Sequence, residues 1–392
     1  MIATVPEAAP TKVLVALTTR GNYAKMKSTM RAVLDDERLR LQVAVGGGLV
    51  LERYGRLEPI LAQDGFTVDG ELDYVEDGDT LHAMARSASR CLAGFADTLG
   101  RLAPDVVVIV ADRYEALALA QAAVCMNVRI AHLEGGEVSG SIDERIRHAV
   151  TKLSHLHFVA NDDAARRVCR MGEIPEHVHV VGTPSLDQLA DMNLNDLERV
   201  ERVLEERGSG PVVDLRSDFL VVSHHPVVTQ IAEAAGHYGE IATVVRALQL
   251  PAVWVLPNLD AGAAEALGPV TSLQRDPSAP AVRCVGSLPF DVYATLLHQA
   301  RCLIGNTSSG LREGAYLGTP VVNVGTRQHG RARARNVIDV PDDSAAIVSA
   351  ARQQIAHGRY ARDPLYGDGR AGQRIAAALA SPLPPLEKTI AY

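Results

Sequence analysis

Short, continuously apolar runs alternate with amphipathic stretches along the first half of the chain. Val13–Leu17, Leu41–Val45, Asp105–Val110, Val128–His132, Leu156–Ala160 and Val178–Val181 predict strands. Between them, Ala24–Leu34, Thr80–Leu99, Glu115–Met126, Asp143–Leu153 and Asp163–Met171 predict helices. The strand runs do not alternate apolar with polar residues, which is the pattern of parallel strands covered by helices on both faces. A charged stretch poor in β-formers, Leu186 to Ser217, predicts a helix and then a loop around Gly208-Ser209-Gly210-Pro211, the expected join between domains. The alternation then restarts, with strands at Phe219–Ser223, Ala252–Leu256, Ala281–Val285, Cys302–Ile304 and Pro320–Val324. Helices are predicted at Thr229–Leu248, Pro289–His298, Leu311–Leu317 and Ser344–Ala356. The fold class is therefore α/β with two doubly wound domains, residues 1–190 and 191–368, and a terminal helix in 369–392 returning to the first. A length of 392 residues agrees, since single cores stop growing near ~250–300 residues.

Two such units direct attention to one rim, because open α/β sheets bind ligands beyond the carboxyl ends of their strands. Six strand ends deliver polar groups there: Thr18-Thr19-Arg20-Gly21-Asn22, Asp112-Arg113-Tyr114-Glu115, Glu134-Gly135-Gly136-Glu137, His224-His225-Pro226, Pro257-Asn258-Leu259-Asp260 and Gly305-Asn306-Thr307-Ser308-Ser309-Gly310. The last loop precedes a helix and reads either as an anion site or as a plain N-cap using Ser308 or Ser309. Ser141-Ile142-Asp143-Glu144 is a capping box. Asp143 and Arg147, four apart, are either a surface helix pair or part of the site. His155 and His157 share a strand face, but no metal-ligand frame surrounds them and no metal is expected. Neither a P-loop nor a GxGxxG fingerprint occurs.

Composition narrows the partners. A formal charge of −8 argues against general nucleic-acid binding. Five dispersed cysteines, without a CxxC pair, argue against a disulfide framework or structural zinc. No signal peptide or membrane span is visible, so a cytoplasmic location is expected. Of 39 basic residues only five are Lys, a bias that genome base composition explains as well as phosphate binding does.

Several stretches together resemble the hydrolysing UDP-N-acetylglucosamine 2-epimerases, most closely the sialic-acid branch. They are Asp112–Ala118, the run His132 to Glu144 (HLEGGEVSGSIDE), Ile146–Ala149 with Lys152–His155, Pro257–Gly262, Gly305–Gly310, Gly318-Thr319-Pro320 and Gly325–Gln328. The resemblance implies a glycosyltransferase-B fold, two Rossmann-like domains around a cleft, and conversion of UDP-N-acetylglucosamine to UDP and N-acetylmannosamine. It implies elimination to a 2-acetamidoglucal followed by hydration, without a cofactor, in a homodimer or homotetramer. Asp112, Glu134 and Asp143 match the family's catalytic carboxylates, and Arg147 and His225 its supporting cation and active-site histidine. Arg20, Arg113, Asn258, Thr307, Ser308 and Ser309 fall at positions on the UDP moiety, Glu313 at the ribose, and Arg327 is a further cleft arginine. Three positions depart from the family pattern: Gly48 replaces a histidine, Asn22 an acidic residue and Ala24 a serine. All lie on the sugar side, which leaves a 2,4-diacetamido-trideoxy sugar nucleotide open as substrate. Two other readings remain: a glycosyltransferase on the same fold, and a non-catalytic nucleotide-sugar binding protein.

Overall fold

The computed structural model describes residues 9–52, 55–77, 80–110, 113–138, 142–226, 233–256, 263–286 and 288–391. The chain forms two compact units, Met1–Ala190 with Gly367–Tyr392, and Asp191–Tyr366.

The first unit holds strands β1 (Thr11–Leu17), β2 (Leu39–Gly46), β3 (Gly70–Leu72), β4 (Val106–Val110), β5 (Arg129–Leu133), β6 (Leu156–Val159) and β7 (Val178–Val180). They form one parallel sheet in the order β3-β2-β1-β4-β5-β6-β7. The order reverses between β1 and β4, as in a Rossmann sheet. Every residue of β4 is buried, which is why its sequence is five β-branched residues with no polar alternate. Helices α1 (Arg20–Leu34), α2 (Glu58–Gln63), α3 (Leu81–Leu102), α4 (Tyr114–Cys125), α5 (Ile142–Leu153), α6 (Asp162–Arg170) and α7 (Asp187–Ala190) intervene. One apolar cluster joins β1, β2 and β4 to α1 through Met26 and Met30. Another joins the opposite face to α3 and α4 through Cys91, Phe95 and Leu119.

The second unit begins with α8 (Leu197–Arg207) and contains β8 (Leu220–Ser223), α9 (Ala234–Leu248), β9 (Ala252–Val255), α10 (Ala263–Arg275), β10 (Val282–Val285), α11 (Phe290–Gln299) and β11 (Cys302–Gly305). There follow α12 (Ser308–Leu311), α13 (Glu313–Leu317), β12 (Val321–Val324), β13 (Val337–Val340) and α14 (Ser344–His357). The sheet is again parallel, in the order β10-β9-β8-β11-β12-β13, with its reversal between β8 and β11. Its core centres on Trp254, Tyr238 and the valines of α9 and β12.

The last helix, α15 (Ala371–Leu379), belongs to the first unit: Ile375 and Leu379 join the cluster containing Met26 and Met30. Asp187 fixes its start, accepting from the backbone N–H groups of Ala371 and Gly372 at 2.9 and 2.7 Å. Two expectations are corrected. The Gly208–Pro211 loop is not a join between units. Ser209 makes an antiparallel bridge to Cys284, and Arg283 donates to the Gly210 carbonyl, so the loop is stitched to β10 inside the second unit. The single helix expected over Leu311–Leu317 is two short ones that meet at Arg312, whose backbone stays right-handed at φ −93° and ψ −75°.

Candidate functional site

In the first unit the predicted residues Arg20, Arg113, Glu134, Asp143 and Arg147 all follow the carboxyl ends of β1, β4 and β5. Asp112 lies outside the described residues, as does Ser141 of the expected capping box.

Glu134 is the most constrained of them. It directly follows β5, its backbone takes a left-handed φ of 64°, and it is buried. That conformation is uncommon outside glycine and accumulates where function requires strain. Its backbone N–H donates to the Phe158 carbonyl at 2.9 Å, which fixes it against β6. There the Lys25 ammonium, reaching from α1, lies 2.5 Å from Glu134 Oε2. Lys25 was not visible as a site residue in the sequence.

The loop beyond Glu134 is held by two arginines. Arg147, only 2% exposed, donates to the Glu137 carbonyl at 2.9 Å, and Arg167 to the Gly136 carbonyl at 3.1 Å. A buried guanidinium excludes a solvent-exposed helix pair as the role of Arg147. Asp143 occupies the first turn of α5, the same helix. Arg113 donates to Glu115 at 2.9 Å, and Arg20 to the Gly55 carbonyl at 2.7 Å. Asn22 serves the local structure. Its side-chain oxygen accepts from the Thr18 hydroxyl and the Thr19 N–H, and it completes a capping box with Thr19 at the start of α1. This oxygen is engaged with the backbone of its own turn.

In the second unit, His225, Thr307, Ser308, Ser309, Glu313 and Arg327 follow the carboxyl ends of β8, β11 and β12. Asn258 lies outside the described residues. Asn306, which the sequence did not single out as a site residue, organises this rim. Its side chain accepts from the His225 N–H at 2.7 Å and donates to the His225 carbonyl at 2.9 Å. Its own carbonyl accepts from Arg327 at 3.1 Å and Gln328 at 2.7 Å. The bracket crosses the reversal point between β8 and β11. Gly305 permits it: at φ 144° an added Cβ would sit 2.1 Å from the Ser223 carbonyl oxygen.

Thr307, and neither Ser308 nor Ser309, is the N-cap of α12. Its hydroxyl contacts the Ser309 hydroxyl at 2.8 Å, which in turn meets Tyr293 at 2.9 Å. A four-residue helix offers little macrodipole, so an anion here depends on hydroxyls, backbone N–H groups and Arg327. Glu313 is buried at the start of α13. Burial, with His237, His225 and Arg327 nearby, pushes the His224 imidazole down to about 3, so its ring is neutral. His155 and His157 do not converge on a metal. His157 pairs with Glu173 at 3.0 Å, and His155 faces Ile130 and Leu386.

A family model for UDP-N-acetylglucosamine 2-epimerase matches residues 32–380. The chain belongs to this epimerase family. The chain is 31% identical over 364 residues to the UDP-N,N'-diacetylbacillosamine 2-epimerase (hydrolyzing) of Legionella pneumophila, covering 93% of this chain and 94% of that one. It is 30% identical over 379 residues to the UDP-N-acetylglucosamine 2-epimerase of Neisseria meningitidis, covering 95% of each. Among solved structures, the Neisseria meningitidis UDP-GlcNAc 2-epimerase bound to UDP-GlcNAc superposes with a TM-score of 0.78, at 17% identity over 94% of this chain and 99% of that one. The fold is thus the glycosyltransferase-B fold, and the epimerase acts on a UDP-sugar. Among the described residues no helix is long and apolar enough to cross a membrane.

Proposed function

We propose that this epimerase is a hydrolysing 2-epimerase, converting UDP-N-acetylglucosamine or a close derivative to UDP and the 2-epimeric free amino sugar. The observation that carries the reading is Glu134, a buried carboxylate at the end of β5, held in a left-handed backbone and paired with Lys25. The C2 proton of the sugar is not acidic, so C1–O cleavage leads. UDP departs with the electron pair, and positive charge builds on the ring. An anionic carboxylate stabilises that charge and accepts the C2 proton, giving the 2-acetamidoglucal. The Lys25 ammonium, of opposite charge, lies against Glu134 Oε2. Water then adds across the double bond, hydroxyl to C1 and hydrogen to C2 from the opposite face, which requires a second acid on another element. Asp112 and Asp143 are the candidates. In total, UDP-sugar plus water gives UDP plus the epimeric free sugar, and no redox cofactor enters the balance.

In the second unit, Arg327, Asn258 and the Thr307-Ser308-Ser309 hydroxyls are proposed to receive the diphosphate, Glu313 the ribose, and His225 is proposed as the active-site histidine beside them. Arg20 and Arg113 are proposed to meet the diphosphate from the first unit. Arg147 is proposed to hold the Glu137 loop in place behind the carboxylates. The proposed setting is the cytoplasm, and the proposed assembly a homodimer or homotetramer.

A second reading of the substrate, a 2,4-diacetamido-trideoxy sugar nucleotide, is favoured by the likeness to the Legionella enzyme and by Gly48, which stands where the resembling family carries a histidine. UDP release measured separately with UDP-N-acetylglucosamine and with UDP-N,N'-diacetylbacillosamine, without acceptor or NAD, separates the readings. The larger kcat/KM names the substrate. Release only after a sugar acceptor is added would indicate glycosyl transfer, and binding without release a non-catalytic protein.

A further inference from the structure

Three side chains of the second unit, outside the residues assigned above, converge in a way the proposed reaction does not use. His224 follows β8, His237 lies in the first turns of α9, and Asp342 stands in the turn between β13 and α14. One ring nitrogen of each histidine and one carboxylate oxygen of Asp342 lie within 4.8 Å of one another, and no other described residues form such a group.

The trio is built rather than incidental. His224 is 2% exposed, and its Nδ1 has no hydrogen-bond partner; nor has Asp342 Oδ1, which is also buried. His237 and Asp342 are themselves partly exposed, but the two orphaned atoms are buried and carry a desolvation cost that a shared ligand would remove. His224 is fixed from behind: the Tyr238 hydroxyl donates to its carbonyl at 2.5 Å, and the Tyr238 ring packs edge-on against the imidazole at 5.3 Å. Tyr238 itself stacks on Trp254. Gly325 makes room for Asp342, because a Cβ there would sit 2.4 Å from Oδ2. His237 Nδ1 is 4.0 Å from Asp342 Oδ1, and its Nε2 is 3.7 Å from Glu233, which is largely exposed. The other charge near His224 is Arg327, whose guanidinium is turned to the Asn306 carbonyl.

We propose that His224, His237 and Asp342 bind a divalent transition-metal ion of the zinc class, with water completing the coordination. Two imidazoles and one carboxylate suit such ions rather than calcium or magnesium. In a tetrahedral site with bonds of ~2.0 Å the donors stand roughly 3.3 Å apart, so the side chains close by about 1.5 Å on binding. The ion would lie one contact from the rim, since His224 Nε2 is 3.4 Å from the Asn306 side chain. It would brace the His225–Asn306 bracket from beneath. This inference does not depend on the reaction proposed above.

The test uses the full chain, free of any histidine tag and stripped by chelator. Titration with Co(II) should give the visible d–d bands of a four-coordinate nitrogen–oxygen site, saturating at about one ion per chain. Asp342→Asn and His237→Ala should each weaken binding by at least about tenfold and remove the bands. Their folding is checked by melting in chelator. X-ray absorption of the zinc-loaded wild type needs no variant and should show imidazole scattering with a light-atom shell. Absence of saturable Co(II) binding, wild-type affinity in both folded variants, or a sulfur shell around zinc would each overturn the assignment.

Discussion

The Lys25 ammonium lies 2.5 Å from Glu134 Oε2, a contact between α1 and the end of β5 that spans 109 positions of sequence. It couples a buried carboxylate to a cation that α1 carries, and it makes Glu134 the residue on which the proposed chemistry turns. Glu134→Gln keeps size and hydrogen-bonding capacity while removing the charge. Turnover should fall by about 10²–10⁴-fold. UDP affinity, measured calorimetrically, should change by less than about threefold, a shift well under 1 kcal/mol.

Lys25→Met should lower kcat by at least about tenfold, because it removes the ammonium that lies 2.5 Å from the buried Glu134 carboxylate. Lys25→Arg should recover part of that loss. A purely structural role would instead lower the melting temperature and leave kcat of the folded fraction intact. Thermal melting and active-site titration distinguish the two outcomes.

Asn306→Ala removes two hydrogen bonds to the His225 backbone. Each is worth about 0.5–1.5 kcal/mol. The second unit should lose stability in urea, and UDP binding should weaken by about tenfold or more through misplacement of His225. If UDP affinity were unchanged in the folded variant, the bracket would have no bearing on the nucleotide.

Acid stability turns on a group remote from the rim. Glu173 is buried, which alone would raise its pKa, but hydrogen bonds from His157, Lys152 and Lys388 bring it down to about 2. Because the folded value is depressed below 4.5, this group contributes stability above pH 4.5 and loses it as pH falls from 4.5 toward 2. Glu173→Gln should lower the urea midpoint at pH 7 and flatten its dependence across that interval. Lys388 also donates to the Thr151 and Lys152 carbonyls in the last turn of α5, so Lys388→Met should show a smaller loss in the same direction.

The doubly wound sheets were legible because most of their central strand residues are buried and so continuously apolar. What the pattern missed has local causes. β3 has three residues and β13 is only half-buried, so neither carries enough apolar length to register. α10 contains Pro269, which argues against a helix in any reading by residue type. Gly208–Pro211 has the composition of a linker, yet its role comes from Arg283 and Cys284, more than seventy residues away. Candidate site residues at strand ends could be read because topology places all carboxyl ends of a parallel sheet on one rim. Lys25, in mid-helix, has no such signal, and its partner is set by tertiary packing. Asn306 sits in a loop that its polar sequence marks, but its part as a bracket follows from the closeness of β8 and β11. The trio of His224, His237 and Asp342 is dispersed over 119 positions and forms no spacing motif.

The central claim is C1–O cleavage with inversion at C2 and no acceptor. Proton NMR of the wild-type reaction with the preferred UDP-sugar in D₂O, free of NAD and of any acceptor alcohol, tests it most directly. The expected products are UDP and a free 2-epimeric amino sugar carrying one deuterium at C2. A released sugar that keeps its C2 configuration and its C2 proton would contradict it.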